Sequence, residues 1–214
     1  VELAVAGVAS GEHDQVGALV VANAEGEGGA EGGRERIREF VRMRNEDAVS
    51  VYPDAGLVII ADGIGGASAG EVASSLAVQA VSERFQDGRP LPVDREDALQ
   101  LAEEAVEAAN RLIWDSAQMT PRYAGMGTTV VVGFAGADWL AFAYVGDSRL
   151  YRLRDGELVQ LTRDHSLIQE VVDQGFFPTL EDAQRYGVNE NILTRGLGTV
   201  NPVAVDAGDV DMCP

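Results

Sequence analysis

The stretch Val58-Ile59-Ile60-Ala61-Asp62-Gly63-Ile64-Gly65-Gly66 constrains the fold more than any other. A short apolar, largely β-branched run reads as a buried strand. It stops at an acidic residue wrapped in glycines, which permit an open, tight turn. Asp62 is therefore expected where a strand leaves the core, at the lip of a site. Upstream, Glu46-Asp47 follows the basic Arg42-Met43-Arg44. Carboxylates converging near an arginine point to a metal site that handles an anion.

The spacing around Asp62 supports this. Ala48 to Tyr52 alternates as a strand, and Leu57 to Ala61 is its partner. Pro53-Asp54-Ala55-Gly56 between them is a turn, with proline fixing φ and glycine supplying the exit. The hairpin brings Glu46-Asp47 and Asp62 to the same open end. Asp147 repeats the theme, ending the apolar strand Asp138 to Val145 in Val145-Gly146-Asp147. The acidic constellation is then Glu46, Asp47, Asp62 and Asp147. Carboxylates, carbonyls and water are the ligands that Mg²⁺ and Mn²⁺ prefer. A single Asp-Gly is most simply a turn; two strand-terminal aspartates with a Glu-Asp pair argue for more.

The rest of the chain supplies the layers. Strands are expected at Val5 to Val8, Val16 to Ala22, Thr128 to Phe134 and near Val203 to Val205. An Asp155-Gly156 turn should join Leu150–Leu153 to Leu158–Leu161 as a hairpin. Arg34 to Val41 reads as a short helix or the entry to a strand. Gly70 to Phe85 shows helical spacing of apolar residues. Arg95 to Ala117 does too, capped by Asp94, with an inner stripe of Ala102, Ala105, Val106, Ala109, Leu112 and Ile113. Two long helices joined by a short loop predict an antiparallel pair laid on a sheet. Asp164-His165-Ser166 should cap a short helix through Val172, with a helical turn at Glu181 to Gln184. The order predicts one α+β domain over residues 1–214, with sheets faced by helices. Residues 23–37 are Gly/Glu-rich, without apolar periodicity, and read as a flexible insertion.

Charge narrows the function. The 214 residues carry 35 acidic and 16 basic side chains, a formal net charge of −19. That balance disfavours nucleic acid and anionic membranes as partners, and favours cations or basic proteins. Most of the charge is a solvated surface. No apolar run approaches the roughly 18–20 residues needed to span a bilayer. The single cysteine, Cys213, excludes an internal disulfide and a cysteine zinc cage, which fits a reducing cytoplasm.

Six motifs then occur in order: Arg42-x-x-Asn45-Glu46-Asp47-Ala48, Ala61-Asp62-Gly63-Ile64-Gly65-Gly66, Gly70-Glu71-x-Ala73-Ser74, Gly127-Thr128-Thr129, Val145-Gly146-Asp147-Ser148-Arg149 and Leu161-Thr162-x-Asp164-His165-Ser166. From about Arg42 onward the chain resembles the metal-dependent (PPM, or 2C-type) serine/threonine protein phosphatases in their compact bacterial form. The resemblance implies a four-layer β-sandwich of two antiparallel sheets flanked by helix pairs. It implies hydrolysis of phosphoserine and phosphothreonine in proteins by a metal-bridging hydroxide, with two core Mn²⁺ or Mg²⁺ ions and a third, weaker one. Asp62 would bridge the two core ions and Gly63 would lend its carbonyl. Glu46 would bind one ion directly or through water, Asp47 would hold bound water, and Asp147 would serve the third ion. Arg42 would grip the substrate phosphate, with Arg44 as the nearby competitor. Phosphorylated proteins, either kinase substrates or a kinase, would be the partners, in the cytoplasm. Gly175 to Gly196 would form the flap that selects substrates.

Some positions depart from the family pattern. Ile64 stands where some members place a histidine proton donor, so no general acid is assigned. Two further metal-binding aspartates of the family, in Ser-Asp-Gly and Asp-Asn motifs, and the last strands are not found before Pro214. The expectation is a C-terminally incomplete catalytic domain that binds Mn²⁺ weakly and shows little activity alone. Two alternatives compete: a catalytically incomplete phosphatase-like module that binds a signalling partner, and an acidic cation-binding structural domain. His165 is expected to make structural hydrogen bonds, and His13 to be solvent-exposed.

Overall fold

The computed structural model describes residues 18–22, 46–64, 67–86, 91–154 and 156–212. The strands expected at 5–8, the insertion at 23–37 and the segment 34–41 lie outside them, as do Arg42, Arg44 and His13. In chain order the elements are β1 (Ala18–Ala22), β2 (Asp47–Tyr52), β3 (Leu57–Ile64), α1 (Ala67–Gln86), α2 (Arg95–Met119), β4 (Gly127–Thr128), β5 (Val130–Ala135), β6 (Trp139–Val145), β7 (Arg149–Arg154), β8 (Glu157–Gln160), α3 (Leu167–Asp173), α4 (Leu180–Arg185) and β9 (Asp206–Asp211).

Six strands form one sheet in the order β2-β3-β5-β6-β9, with β4 pairing β3 off the end. All its pairings are antiparallel. The other sheet runs β1-β7-β8, with β7–β8 antiparallel and β1–β7 parallel. The predicted hairpin forms, with Gly56 at φ 66° supplying its left-handed exit.

β3 is buried on both faces, which explains its unbroken apolar run. Leu57, Ile59 and Ala61 pack with the helix pair, against Ala73, Ala77 and Val81 of α1 and Ala102, Ala105 and Ala109 of α2. Alanines at these spacings let both helices lie close to the sheet. Val58 and Ile60 face the other way, joining Val131, Leu140, Phe142 and Leu150 of β7 between the two sheets. The stack is thus helix pair, six-stranded sheet, three-stranded sheet. Asp62 shares its strand face with Val58 and Ile60, so it belongs to the intersheet side.

Several expectations are corrected. The last strand is Asp206–Asp211, not Val203 to Val205. Its Asp-Ala-Gly-Asp-Val-Asp pattern hides it, because it is an edge strand with alternate residues exposed. Arg95 answers its acids, bonding Asp209 at 2.9 Å and also Asp211. Gly208 leaves room for the Phe142 ring, which would stand 2.9 Å from a Cβ there. Leu112 is not part of the inner stripe of α2; it is 42% exposed. Asn110 is buried instead, donating to Val200 O (3.0 Å) and accepting from Gly198 N (2.8 Å). The expected strand from Thr128 to Phe134 is interrupted at Thr129. The helical turn expected at 181–184 is present as the helix α4, capped by Thr179, whose hydroxyl accepts from Asp182 N at 3.1 Å.

Candidate active site

The β2–β3 register places Asp47 directly opposite Asp62. Directly opposed residues of an antiparallel pair project from the same sheet face. Asp47 is exposed and Asp62 is buried, 5% exposed. The backbone of Asp62 is held from the β4–β5 break. Its N–H donates to Thr129 Oγ1 (3.0 Å), and its carbonyl accepts from Thr129 N (2.8 Å) and Thr128 Oγ1 (2.8 Å). At the break, two hydroxyl bonds thus join one backbone bond in holding Asp62. One carboxylate oxygen, Asp62 Oδ1, is buried with no hydrogen-bond partner among the described residues.

A buried carboxylate in such company resists ionisation. Burial first, then the close, like-charged carboxylate of Asp47, pushes the Asp62 carboxyl up to about 8. The charges of Asp147 and Glu46 act in the same direction. Like charges placed this close favour a bound proton or cation that offsets the local negative charge.

Glu46 reaches the site from the helix side. Its carbonyl accepts from Gly63 N at 3.0 Å. The backbones of Gly63 and Gly70 touch so closely that a Cβ on Gly63 would overlap Gly70. The Glu46 carboxylate packs against Gly70 in the same place. This explains the glycine in Gly70-Glu71: it admits the first turn of α1 to the end of β3.

Asp147 sits in the turn after β6, and both of its neighbours are held. Gly146 adopts φ 111°, and a Cβ there would stand 2.6 Å from Thr129 Cγ2. Its N–H donates to His165 Nδ1 (3.0 Å), and its carbonyl accepts from His165 N (3.0 Å). On the other flank, Ser148 Oγ bonds Thr129 Oγ1 at 2.7 Å. Burial, then the charge of Asp164, raises the Asp147 carboxyl to about 6, against the pull of a backbone bond and Arg149. Arg149 itself is bound by Asp164, with Nη2 to Oδ2 at 2.6 Å.

His165 makes structural bonds, as expected. Nδ1 accepts from Gly146, so Nε2 carries the proton and donates to Asp206 Oδ2 at 3.1 Å. The ring stacks on Tyr144 with centroids 5.0 Å apart. Asp206 also accepts from Arg195 Nη1 at 2.7 Å.

Of the predicted site residues, Glu46, Asp47, Asp62, Gly63 and Asp147 are described. Asp47 and Asp62 meet in register, while Asp147 and Glu46 reach Asp62 through their charges. Among the described residues, no three His, Cys, Asp or Glu side chains gather into a ready metal cage. The donor chemistry nevertheless fits a hard cation: a buried carboxylate oxygen with no partner among those residues, an opposed second carboxylate and an adjoining glycine. Sequence reasoning missed Thr128 and Thr129 as the holders of Asp62. Their only local signal is Gly127-Thr128-Thr129 ahead of an apolar run. Ser148 joins them through its bond to the Thr129 hydroxyl.

A helix-covered β-sandwich with carboxylates at its strand ends defines the class, and comparison with known proteins agrees. Residues 32–194 match the model of the protein phosphatase 2C family. The serine/threonine protein phosphatase PstP of Mycobacterium tuberculosis is 43% identical over 138 residues, covering 64% of this chain and 26% of PstP. The serine/threonine phosphatase stp of Listeria welshimeri is 37% identical over 172 residues, covering 79% of this chain and 67% of that protein. The crystal structure of Stp1 from Staphylococcus aureus superposes with a TM-score of 0.71 at 30% identity, over 80% of this chain and 67% of Stp1. The PstP catalytic domain, solved in complex with two manganese ions, gives a TM-score of 0.65 at 36% identity, over 80% of this chain and 68% of that one. The chain belongs to the protein phosphatase 2C family. It spans about a quarter of PstP, 26% of its length.

Proposed function

We propose that this chain carries the site of a metal-dependent phosphatase for phosphoserine and phosphothreonine in proteins. The observation that carries the reading is the opposed pair Asp47 and Asp62, with Asp62 Oδ1 buried and without a partner among the described residues. Asp62 would bridge two Mn²⁺ or Mg²⁺ ions, with the Gly63 carbonyl, Glu46 and Asp47 completing what these residues offer. Asp147 would hold a third. When bound, such ions would supply a water of lowered pKa as nucleophile and would neutralise phosphoryl charge.

The chain's own residues do the rest. Thr128 and Thr129 fix the backbone of Asp62, so its carboxylate does not need to reorganise. Arg42 would hold two phosphate oxygens with its planar fork, which a lysine cannot match. Ile64 cannot donate a proton, so the leaving hydroxyl must take one from elsewhere. The segment from Gly175 to Gly196, joined to the rest by the Ser166–Leu193 bridge, would select substrates. Phosphorylated proteins, including a kinase or its substrates, are the expected partners, in the cytoplasm. No helix among the described residues is long and apolar enough to cross a membrane.

Calorimetric titration of Mn²⁺ into the chain, beside Asp62→Ala, tests the metal reading. Uptake by the native sequence and its loss in the variant is the expected result; equal uptake by both sinks it. Phosphate release from a phosphothreonine peptide by the intact gene product should require Mn²⁺ or Mg²⁺ and Asp62. Metal uptake with no release under any condition would turn the reading toward a partner-binding phosphatase-like module.

A further inference from the structure

The two strand-terminal aspartates, Asp62 and Asp147, lie 85 positions apart in the chain, yet one side chain serves both. The Thr129 hydroxyl accepts from the Asp62 amide at 3.0 Å and pairs with Ser148 Oγ at 2.7 Å. Its methyl group presses on the Cα side of Gly146, 2.6 Å from where a Cβ would sit. Thr129 is 1% exposed and Ser148 is 2% exposed. Such burial shields these bonds from solvent, and a shielded hydrogen bond is electrostatically stronger than one in water.

We propose that Thr129 is a positioning residue: with Ser148 it forms a latch that sets the placement of the Asp62 carboxylate relative to that of Asp147. The inference rests on the metal reading above. The hydroxyl makes two buried bonds at once: it accepts from Asp62 N–H and pairs with Ser148 Oγ. Movement of either loop therefore breaks a buried bond. His165 holds Gly146 through two further bonds, so the Asp147 turn is fixed from both His165 and Thr129. Loss of the latch should leave the sandwich core intact and loosen the carboxylates against each other. Partners in the shell behind a ligand act on metal affinity in this way.

Three variants and a double variant test this. Thr129→Val keeps the shape over Gly146 and removes the hydroxyl. Thr129→Ser keeps the hydroxyl and removes the methyl. Ser148→Ala removes only the far end of the latch. In calorimetry Thr129→Val should bind Mn²⁺ about 10-fold more weakly or worse, and Thr129→Ser should restore most of it. Ser148→Ala should weaken binding less, and the double variant Thr129→Val with Ser148→Ala no more than Thr129→Val alone, since one interaction is lost once. Without metal, amide exchange at Asp62 should quicken in Thr129→Val and stay slow in Thr129→Ser. Native affinity in Thr129→Val or in Ser148→Ala overturns the proposal, as does equal weakening by Val and Ser. Should Thr129→Val fail to fold, Ser148→Ala still decides, because it spares the Asp62 bond. A native chain that takes up no Mn²⁺ refutes the metal reading, while the metal-free exchange measurement still judges the latch.

Discussion

Asp47 and Asp62 stand opposite each other across the β2–β3 hairpin, one exposed and one buried, on the same face of the sheet. A hairpin would not normally choose this pair, because like charges placed directly opposite each other destabilise a sheet. The pair costs stability in the metal-free protein, and that cost makes it measurable.

The first prediction concerns pH. The Asp62 carboxyl is raised to about 8 in the folded chain, against 3.8 for the ordinary group. Between these values the folded state holds a proton that the unfolded state has released. Its stabilising contribution is full below the ordinary carboxylate value and is lost as pH rises toward 8. Thermal melts of the metal-free protein from pH 5 to 8 should therefore show a falling midpoint. Asp62→Asn, which stays neutral, should flatten that slope. A slope unchanged in Asp62→Asn would place the titrating group elsewhere.

Metal should reverse the trend. A cation competes with the proton on Asp62 and Asp147, so Mn²⁺ uptake should release protons and tighten as pH rises. Titrations at pH 6.5 in buffers of different ionisation enthalpy should give different apparent heats. Chelation should return the melting midpoint to its metal-free value. Buffer-independent heats would show that no carboxyl gives up a proton on binding.

His165 titrates in the opposite sense. Burial first, then the Arg195 charge, holds its imidazole below the usual value of 6.5, although Asp206 pulls it upward. The unfolded chain then binds the proton more readily than the folded one. Stability from this group is full above 6.5 and is lost as pH falls below it. Protonation would also remove the acceptor that Gly146 N–H uses. In His165→Gln the acid-side loss between pH 6.5 and 5.5 should be smaller. NMR titration of the His165 ring is the direct check, and an apparent pKa at or above 6.5 would contradict it.

The aspartates were legible in the sequence, and the groups that hold them were not. An apolar run ending in Asp-Gly announces itself locally, because strand, exit and carboxylate are consecutive residues. The partner of a hydroxyl is not local. Thr128 and Thr129 meet Asp62 across 66 and 67 positions, and the β3–β4 and β3–β5 pairings bring them there. The same is true of β9, whose alternating acids resemble a solvated loop until Arg95 and the edge of β6 are in place. α2 was readable through its alanine stripe and Asp94 cap, because both lie within the helix itself. Leu112 misled because helical spacing marks a wide face, and the sheet covers only part of it.

Gly63→Ala tests the close approach of β3 and α1. The added methyl would overlap the backbone of Gly70, which no side-chain rotation relieves. Overpacking of this kind costs about 1–3 kcal/mol, and more where backbone must move. The melting midpoint should fall, and Mn²⁺ affinity with it, because Gly63 and Glu46 move together. Native affinity in a folded Gly63→Ala would separate Glu46 from the site.

Asn110 gives a prediction about the far side of the same site. It is buried in α2, and its amide joins that helix to the turn after Gly196. Leu197 in that turn exchanges both backbone bonds with Thr128, at 3.1 and 2.8 Å. Thr128 in turn donates to the Asp62 carbonyl. Gly198, at φ 78°, lies against Ile113, so the turn has no room to shift inward. Asn110→Leu fills similar volume but leaves Gly198 N–H and the Val200 carbonyl without their partner. A buried group left unsatisfied costs about 1–3 kcal/mol, so chemical denaturation should show a loss of at least that size. Asn110→Asp keeps the acceptor for Gly198 but loses the donor to Val200, and its charge would be buried. It should therefore be no better tolerated than leucine at neutral pH, and should recover as the carboxyl is protonated. If Asn110→Leu melts like the native chain, the turn is held by Leu197 and Thr128 alone, and the helix pair contributes only its apolar face.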